Sequence, residues 1–295
     1  MPLIPWVIMN SIVYLYDTVD GAETGVEIGG SGFLMVMPSE NVETATHIYA
    51  VTNAHVIQGG APVVRVNLKD PKVDQRTECF PFTRESWIIH PVHDLAVRLL
   101  PVDLQPQLFN IALITLSILM TEREFIDKGI GPGDDLFYVG RFRDHAGKYE
   151  NLPSVRFGNI SMIPNEREPV EYEIKNHRRK QVGFLVEARS RSGYSGSPVF
   201  FYEQHTLGTR RHISMDFDVR MLGVDWGHLE EVVTLYDAVT GYELQSRARV
   251  HAGMMGVVPS WYLTDFLTTD QRLIEQRARD DAYYLAHPPT GAPDV

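Results

Sequence analysis

The sequence predicts an all-β protein built as two β domains and closed by a C-terminal helix. Three observations predict it. Short runs of β-branched and aromatic residues recur from Ser11 to about Trp261, punctuated by Gly, Pro, Asn and Asp. That rhythm belongs to sandwiches and barrels, not to alternating β-α units. The stretch Leu104–Gly133 lacks this character and divides the strand-rich region in two. Helical patterning enters only after Ser260.

Taken in order, the expected strands begin at Ser11–Tyr16 (SIVYLY), where β-branched and aromatic side chains dominate. Gly32–Met37, His47–Thr52, Pro62–Leu68 and Leu95–Leu100 complete a domain over residues 1–104. Residues 105–133 are the connector. Leu136–Gly140, Phe184–Ala188, Pro198–Tyr202 and Met221–Val224 belong to a second domain over 134–260. A closing helix follows over 261–285, with Ser260 as a starting cap and a break near Thr268, where Thr268 and Gln271 fit a capping box. Residues 286–295 (AHPPTGAPDV) read as a disordered tail.

Composition narrows the function. The 295 residues are 44% hydrophobic and 22% charged, an ordinary globular balance. A net charge of −11 argues against nucleic acid as a partner, because such binding rests on neutralising phosphates. Cys79 is the single cysteine, which excludes an intrachain disulfide and a CxxC metal site; it reads as a half-buried small hydrophobe. Apart from histidine, the first basic residue is Arg65, so the apolar opening lacks the positive region of a signal peptide. The purest apolar run, Ile111–Met120, is about half the length that spans a bilayer. The expectation is a cytoplasmic protein with no membrane contact.

Three local sequences carry chemistry. Thr52-Asn53-Ala54-His55-Val56 follows an apolar run, His93-Asp94-Leu95-Ala96-Val97 sets a carboxylate before a strand, and Ser192-Gly193-Tyr194-Ser195-Gly196-Ser197-Pro198 flanks a serine with glycines. Singly each has a bland reading: a half-buried histidine, a turn-forming aspartate, a glycine turn. In the order His, Asp, Ser they are far more specific. A serine hydroxyl is a weak nucleophile and needs a base. A neutral imidazole accepts its proton, and a carboxylate on the other ring nitrogen fixes the tautomer. Glycines beside the serine let successive N–H groups converge on an oxyanion.

On these motifs the chain resembles the trypsin-like (chymotrypsin-fold) serine proteases, especially disulfide-free bacterial members including the HtrA-type proteases. Gly30-Ser31-Gly32-Phe33, Arg156-Phe157-Gly158-Asn159-Ile160-Ser161 and Gly223-Val224-Asp225-Trp226-Gly227 support the likeness, which spans roughly residues 11–267. It implies two six-stranded antiparallel β-barrels with the cleft between them. His55 becomes the general base, Asp94 its orienting carboxylate, Ser195 the nucleophile, and the N–H groups of Gly193 and Ser195 the oxyanion hole. Asp225, Trp226 and Gly227 become the strand that pairs with an extended substrate. Arg189 falls at the floor of the pocket for the residue before the scissile bond, where a guanidinium favours an acidic side chain. The partner implied is a protein or peptide substrate; no cofactor and no metal are called for.

The departures are informative. Ser197 stands where a second glycine is usual, and Asp225 where a small polar residue is common, bringing a further carboxylate toward the triad. Tyr194 replaces the acidic residue that pairs with a freshly cut N-terminus in secreted relatives, so that ion pair cannot form. Activity without N-terminal cleavage is therefore expected, with gating by a regulatory partner or self-association acting on the loop around Gly193. An α/β-hydrolase is disfavoured, because its elbow ends in glycine, leads into a helix and precedes its acid and histidine. A triad-bearing module that binds peptides without cutting them is the second reading.

Overall fold

The computed structural model describes residues 4–26, 29–43, 45–72, 75–101, 106–174, 177–188, 190, 192–202 and 219–287. Chain order is α1 (Trp6–Asn10), β1 (Ile12–Tyr16), α2 (Val19–Thr24), β2 (Ser31–Pro38), β3 (Thr46–Thr52), α3 (Ala54–Gln58), β4 (Val63–Lys72) and β5 (Gln75–Phe80). Then come β6 (Ile88–Ile89), β7 (Ala96–Leu99), β8 (Ile114–Thr115), α4 (Glu122–Asp127), β9 (Asp135–Gly140) and β10 (Ser154–Met162). The remainder is β11 (Val170–Ile174), β12 (His177–Gln181), β13 (Phe184–Ala188), β14 (Pro198–Tyr202), β15 (Val219–Tyr236), β16 (Glu243–Pro259), α5 (Ser260–Thr269) and α6 (Gln271–Ala286).

The C-terminal half closes into a six-stranded barrel, β10-β13-β16-β15-β14-β9. The N-terminal half is one sheet in the order β5-β4-β1-β2-β3-β7-β6, with β8 parallel to β2. It therefore holds eight strands where six are expected, and among the described residues no pairing joins β5 to β6. The reason is length: β6 has two residues, and both pair with β7. The small hairpin β11–β12 stands outside both sheets.

Side-chain alternation builds three cores. In β1 every residue is buried, but Val13 and Leu15 point into the N-terminal sheet with Leu34, Ala50 and Val64. Ile12, Tyr14 and Tyr16 point the other way. Strand β9 mirrors this arrangement: Leu136 and Tyr138 fill the barrel, while Phe137 and Val139 join Tyr14 and Tyr16 in the layer between the halves. Strands read at period two and buried on both faces give this division directly. Leu263, Phe266, Leu267 and Leu273 of α5 and α6 complete the middle layer.

The closing helix is two helices that meet at Asp270. Its carboxylate accepts the Arg272 N–H at 3.0 Å, whereas the Thr268 hydroxyl donates back to the Thr264 carbonyl at 2.8 Å. The cap thus lies two residues beyond Thr268, at an aspartate, which caps somewhat better than threonine. Ser260 is the first helical residue, not the cap. Helix α6 is fixed to the N-terminal sheet by Asp281, which accepts from Ser39 and Asn41, each at 2.8 Å. The tail expected at 286–295 falls outside the described residues from 288 onward.

Strands β15 and β16 run far past the barrel. Strand β14 pairs with β15 at Val219–Val224, and β13 pairs with β16 at Met254–Val257. Beyond these, among the described residues, β15 as far as Tyr236 and β16 from Glu243 pair only with each other. The result is a projecting two-stranded ribbon.

Candidate active site

His55 sits at the start of α3, directly after β3. The chain turns there because Asn53 is extended (φ −85°) and its side-chain amide donates to the Asp94 carbonyl at 2.8 Å. Both Asp94 carboxylate oxygens face the histidine: Oδ1 accepts the His55 backbone N–H at 2.9 Å, and Oδ2 lies 2.6 Å from Nδ1. An ionised carboxylate makes the second contact only with a protonated Nδ1, which leaves Nε2 of a neutral ring as acceptor.

Asp94 is itself anchored. Its N–H donates to Gln181 Oε1 at 2.9 Å, while Gln181 Nε2 bonds the Val182 carbonyl at 2.7 Å and His93 Nδ1 at 3.0 Å. His93 stacks on Tyr262, with ring centroids 3.8 Å apart. Burial first, then neighbouring His90, pushes its pKa down to about 4, so near neutral pH it is an uncharged acceptor for Gln181.

Ser195 lies in the loop that leads into β14. Gly193 (φ 105°) and Gly196 (φ 90°) hold the left-handed backbone this turn needs. The loop is held by the other half of the molecule. The Ser31 N–H donates to the Ser195 carbonyl at 2.8 Å, and the Ser31 hydroxyl donates to the Gly193 carbonyl at 2.7 Å while accepting the Arg141 N–H at 2.8 Å. A Cβ on Gly196 would come within 2.0 Å of the Ser31 carbonyl oxygen, so no side chain fits. Ser197, in the place of the usual glycine, is fully buried, and a Cβ on Gly140 would lie 1.9 Å from its hydroxyl. Among the described residues the Gly193 and Ser195 N–H groups have no hydrogen-bond partner, and no hydrogen bond joins Ser195 Oγ to His55.

Tyr194 fills the barrel interior. Its hydroxyl bonds Ser154 and accepts from Arg156 Nε at 2.8 Å, and its ring meets Tyr138 edge-on at 5.3 Å. The Tyr194 hydroxyl thus joins Ser154 to the Arg156 guanidinium, which also lies over its ring.

Asp225 is fully buried. Its backbone ties β15 to the nucleophile loop, accepting the Gly196 N–H at 2.8 Å and donating to the Ser197 carbonyl at 2.9 Å. Its Oδ1 accepts the Gly227 N–H at 2.6 Å and its Oδ2 the Ser190 hydroxyl at 3.1 Å. Burial raises the carboxyl to about pKa 7; those two hydrogen bonds and the nearby His55 oppose the rise. Trp226 is almost wholly buried under Tyr172 of β11, with ring centroids 4.1 Å apart. The site that a Cβ of Gly227 would occupy is 3.8 Å from Ser195 Oγ. Arg189 lies outside the described residues. Cys79 is half-buried and remote from these groups in the chain, its thiol pushed up to about 11 by burial.

Sequence reasoning missed Gln181 and Ser190 and gave Ser31 no role. Ser31 had a signal in the Gly-Ser-Gly turn that opens β2. Gln181 had none, because its partner is Asp94 in the other half of the chain.

Two β units, an eight-stranded sheet carrying the His–Asp pair and a closed six-stranded barrel carrying the glycine-flanked serine, make an all-β architecture closed by two helices. No family model matches the sequence, and no curated protein matches it. Among solved structures, the Rv3671c protease from M. tuberculosis in its active form aligns over 89% of this chain and 81% of its own, at 16% identity and a TM-score of 0.44. Its inactive form aligns over 88% of each chain at 15% identity and a TM-score of 0.40. A structure of HBP aligns over 99% of this chain and 98% of its own, at 10% identity and a TM-score of 0.45. At these values nothing about activity passes to this chain, and the fold class rests on the strand order. Among the described residues no helix is long and apolar enough to cross a membrane.

Proposed function

We propose that the chain is a serine endopeptidase that cuts peptide bonds through an acyl-enzyme. The observation that carries this reading is the two-point grip of Asp94 on His55, at 2.9 and 2.6 Å. A merely structural histidine has no need of a carboxylate on both its backbone N–H and Nδ1. The grip leaves Nε2 as the one ring position able to take a proton. His55 removes the Ser195 proton as Oγ attacks the scissile carbonyl, and Asp94 stabilises the imidazolium that forms. The free N–H groups of Gly193 and Ser195 receive the developing oxyanion. The His55 proton then passes to the leaving amine, and a water deprotonated by the same ring hydrolyses the ester.

One observation favours the second reading, a peptide-binding module: the His55 ring bonds Asp94 and shares no hydrogen bond with Ser195. A fluorophosphonate probe separates the two. Labelling at Ser195 that is lost in Ser195→Ala and in His55→Ala supports the endopeptidase; an unlabelled wild-type chain that still binds peptides supports the module.

A further inference from the structure

Asp94 lies in the loop between β6 and β7, residues 90–95, which is closed by the His90 N–H donating to the Leu95 carbonyl at 2.9 Å. Two imidazoles serve as acceptors within it. His90 Nδ1 accepts the N–H groups of Val92 and His93, at 3.0 and 2.8 Å. His93 Nδ1 faces Gln181 Nε2, which can only donate, at 3.0 Å. That bond holds the amide with Oε1 toward the Asp94 N–H. Both rings must therefore be neutral, each with its one proton on Nε2.

The two rings are held by α5. Their centroids lie 4.8 Å apart; His90 meets Phe266 edge-on at 4.8 Å, and His93 stacks on Tyr262. The helix that follows the barrel thus supports the loop that carries Asp94. Titratable and charged groups face the pair from several elements. The Tyr262 hydroxyl donates to Glu166 beside His93, and Asp270 and Arg272, where α5 meets α6, act on His90. Burial is the largest influence on both rings and lowers their pKa values. Asp270 opposes it at His90 and Arg272 adds to it; at His93 the neighbouring His90 adds to it and Glu166 opposes it.

We propose that His90 and His93 are positioning residues that brace Asp94 only while both are neutral, so that acid releases the loop and uncouples Asp94 from His55. The consequence for hydrolysis rests on the endopeptidase reading. A proton on Nδ1 turns each acceptor into a donor that faces donors: two backbone N–H groups at His90, the Gln181 amide at His93. A released ring titrates at the ordinary histidine value of 6.5, and a braced ring lower. The brace is therefore complete above that value. Below it, each pH unit shifts the balance about tenfold per histidine toward the released loop. At His93 this continues until the braced ring itself takes a proton at about 4.

The test follows the downfield His55 Nδ1 proton of the full chain by NMR from pH 8 to pH 4. The wild type should lose this resonance on acidification while its far-UV circular dichroism is unchanged. His90→Asn with His93→Asn puts an oxygen where each Nδ1 stood, and that oxygen cannot be charged. Asp237 shows such an oxygen gripping the N–H groups two and three residues on. The double variant should hold the resonance to a pH at least ~1 unit lower than the wild type. His93→Phe keeps a ring on Tyr262 without the acceptor; it should cost several-fold in kcat at pH 8, and His93→Asn should recover most of that loss. A wild-type resonance that persists to pH 4, one lost at the same pH in the double variant, or one lost only together with the far-UV signal overturns the proposal. The pH profile of kcat/KM is read separately. A single histidine base gives an acid limb of slope one, which the brace should steepen in the wild type and not in the double variant. A chain that cuts no peptide yet shows the NMR pattern loses the endopeptidase reading and keeps the brace. Hydrolysis with a limb of slope one and a persistent resonance does the reverse.

Discussion

The two halves of the molecule hold their reactive groups by different means. In the N-terminal sheet, His55 and Asp94 grip one another through side-chain bonds and need the other half only for the Gln181 anchor. In the C-terminal barrel, Ser195 rides on a loop whose carbonyls at Gly193 and Ser195 both end on Ser31, at the start of β2. His55 is held mainly from within its own half, and Ser195 is held across the junction. Damage at the junction should therefore fall on the serine and spare the histidine.

The largest effect comes from the reacting groups themselves. Ser195→Ala or His55→Ala should lower peptide hydrolysis by ~10⁴-fold or more, and the double variant should be little worse than either single one. A purified Ser195→Ala chain with near-wild-type turnover sinks the assignment.

Ser31→Ala addresses the junction directly. It removes the bond to Gly193 and strands the Arg141 N–H, so kcat should fall by roughly 10- to 100-fold, as an oxyanion loop loses its preorganisation. The downfield proton resonance of His55 Nδ1 should persist, because its partner Asp94 is untouched. Loss of that resonance would show that the two halves are not separable in the way described.

Asp225 sharpens the same contrast through pH. Its carboxyl titrates near 7 when folded, against an ordinary aspartate value of 3.8. A raised folded pKa means that the protonated form is favoured in the native state. The stability linked to it is full below pH 3.8 and is lost as pH rises through about 7. Asp225→Asn should remove this decline, worth of the order of a few kcal/mol. Urea midpoints at pH 4 and pH 8 give the comparison: the variant should gain on the wild type only at the higher pH, and a constant difference counts against the assignment.

The smallest effect is expected at Gln181, a positioning residue. Gln181→Ala takes the Gln181 bond from the Asp94 N–H and from His93 Nδ1 and should cost several-fold in kcat with KM little changed. Gln181→Glu still offers an acceptor and should recover part of the loss above the pKa of the glutamate. A change in KM alone would place Gln181 in substrate binding.

What was legible in the sequence was local. Phe184–Ala188 and Pro198–Tyr202 were bounded correctly because the first run opens after Gly183 and the second at Ser197-Pro198, and a charged residue follows each. The three motifs were visible because His55, Asp94 and Ser195 each sit among small or polar neighbours close by in the chain. The burial of Trp226 was not legible, since Tyr172 comes from a separate hairpin. Nor was the ribbon, whose residues do not alternate cleanly because neither face is buried. One signal did exist: Asp237 accepts the Val239 and Thr240 N–H groups at 3.0 and 2.6 Å, and Gly241 follows with φ 71°. Asp-Ala-Val-Thr-Gly is a turn, and it closes the ribbon.

The bare α-carbon of Gly196 against the Ser31 carbonyl has a mechanical consequence. Backbone meets backbone there, so the sheet and the barrel touch with no side chain between them. Together with the Ser31 bonds to Gly193 and Ser195, that contact couples the halves, and heat should take both in a single step, with aromatic and backbone signals lost together.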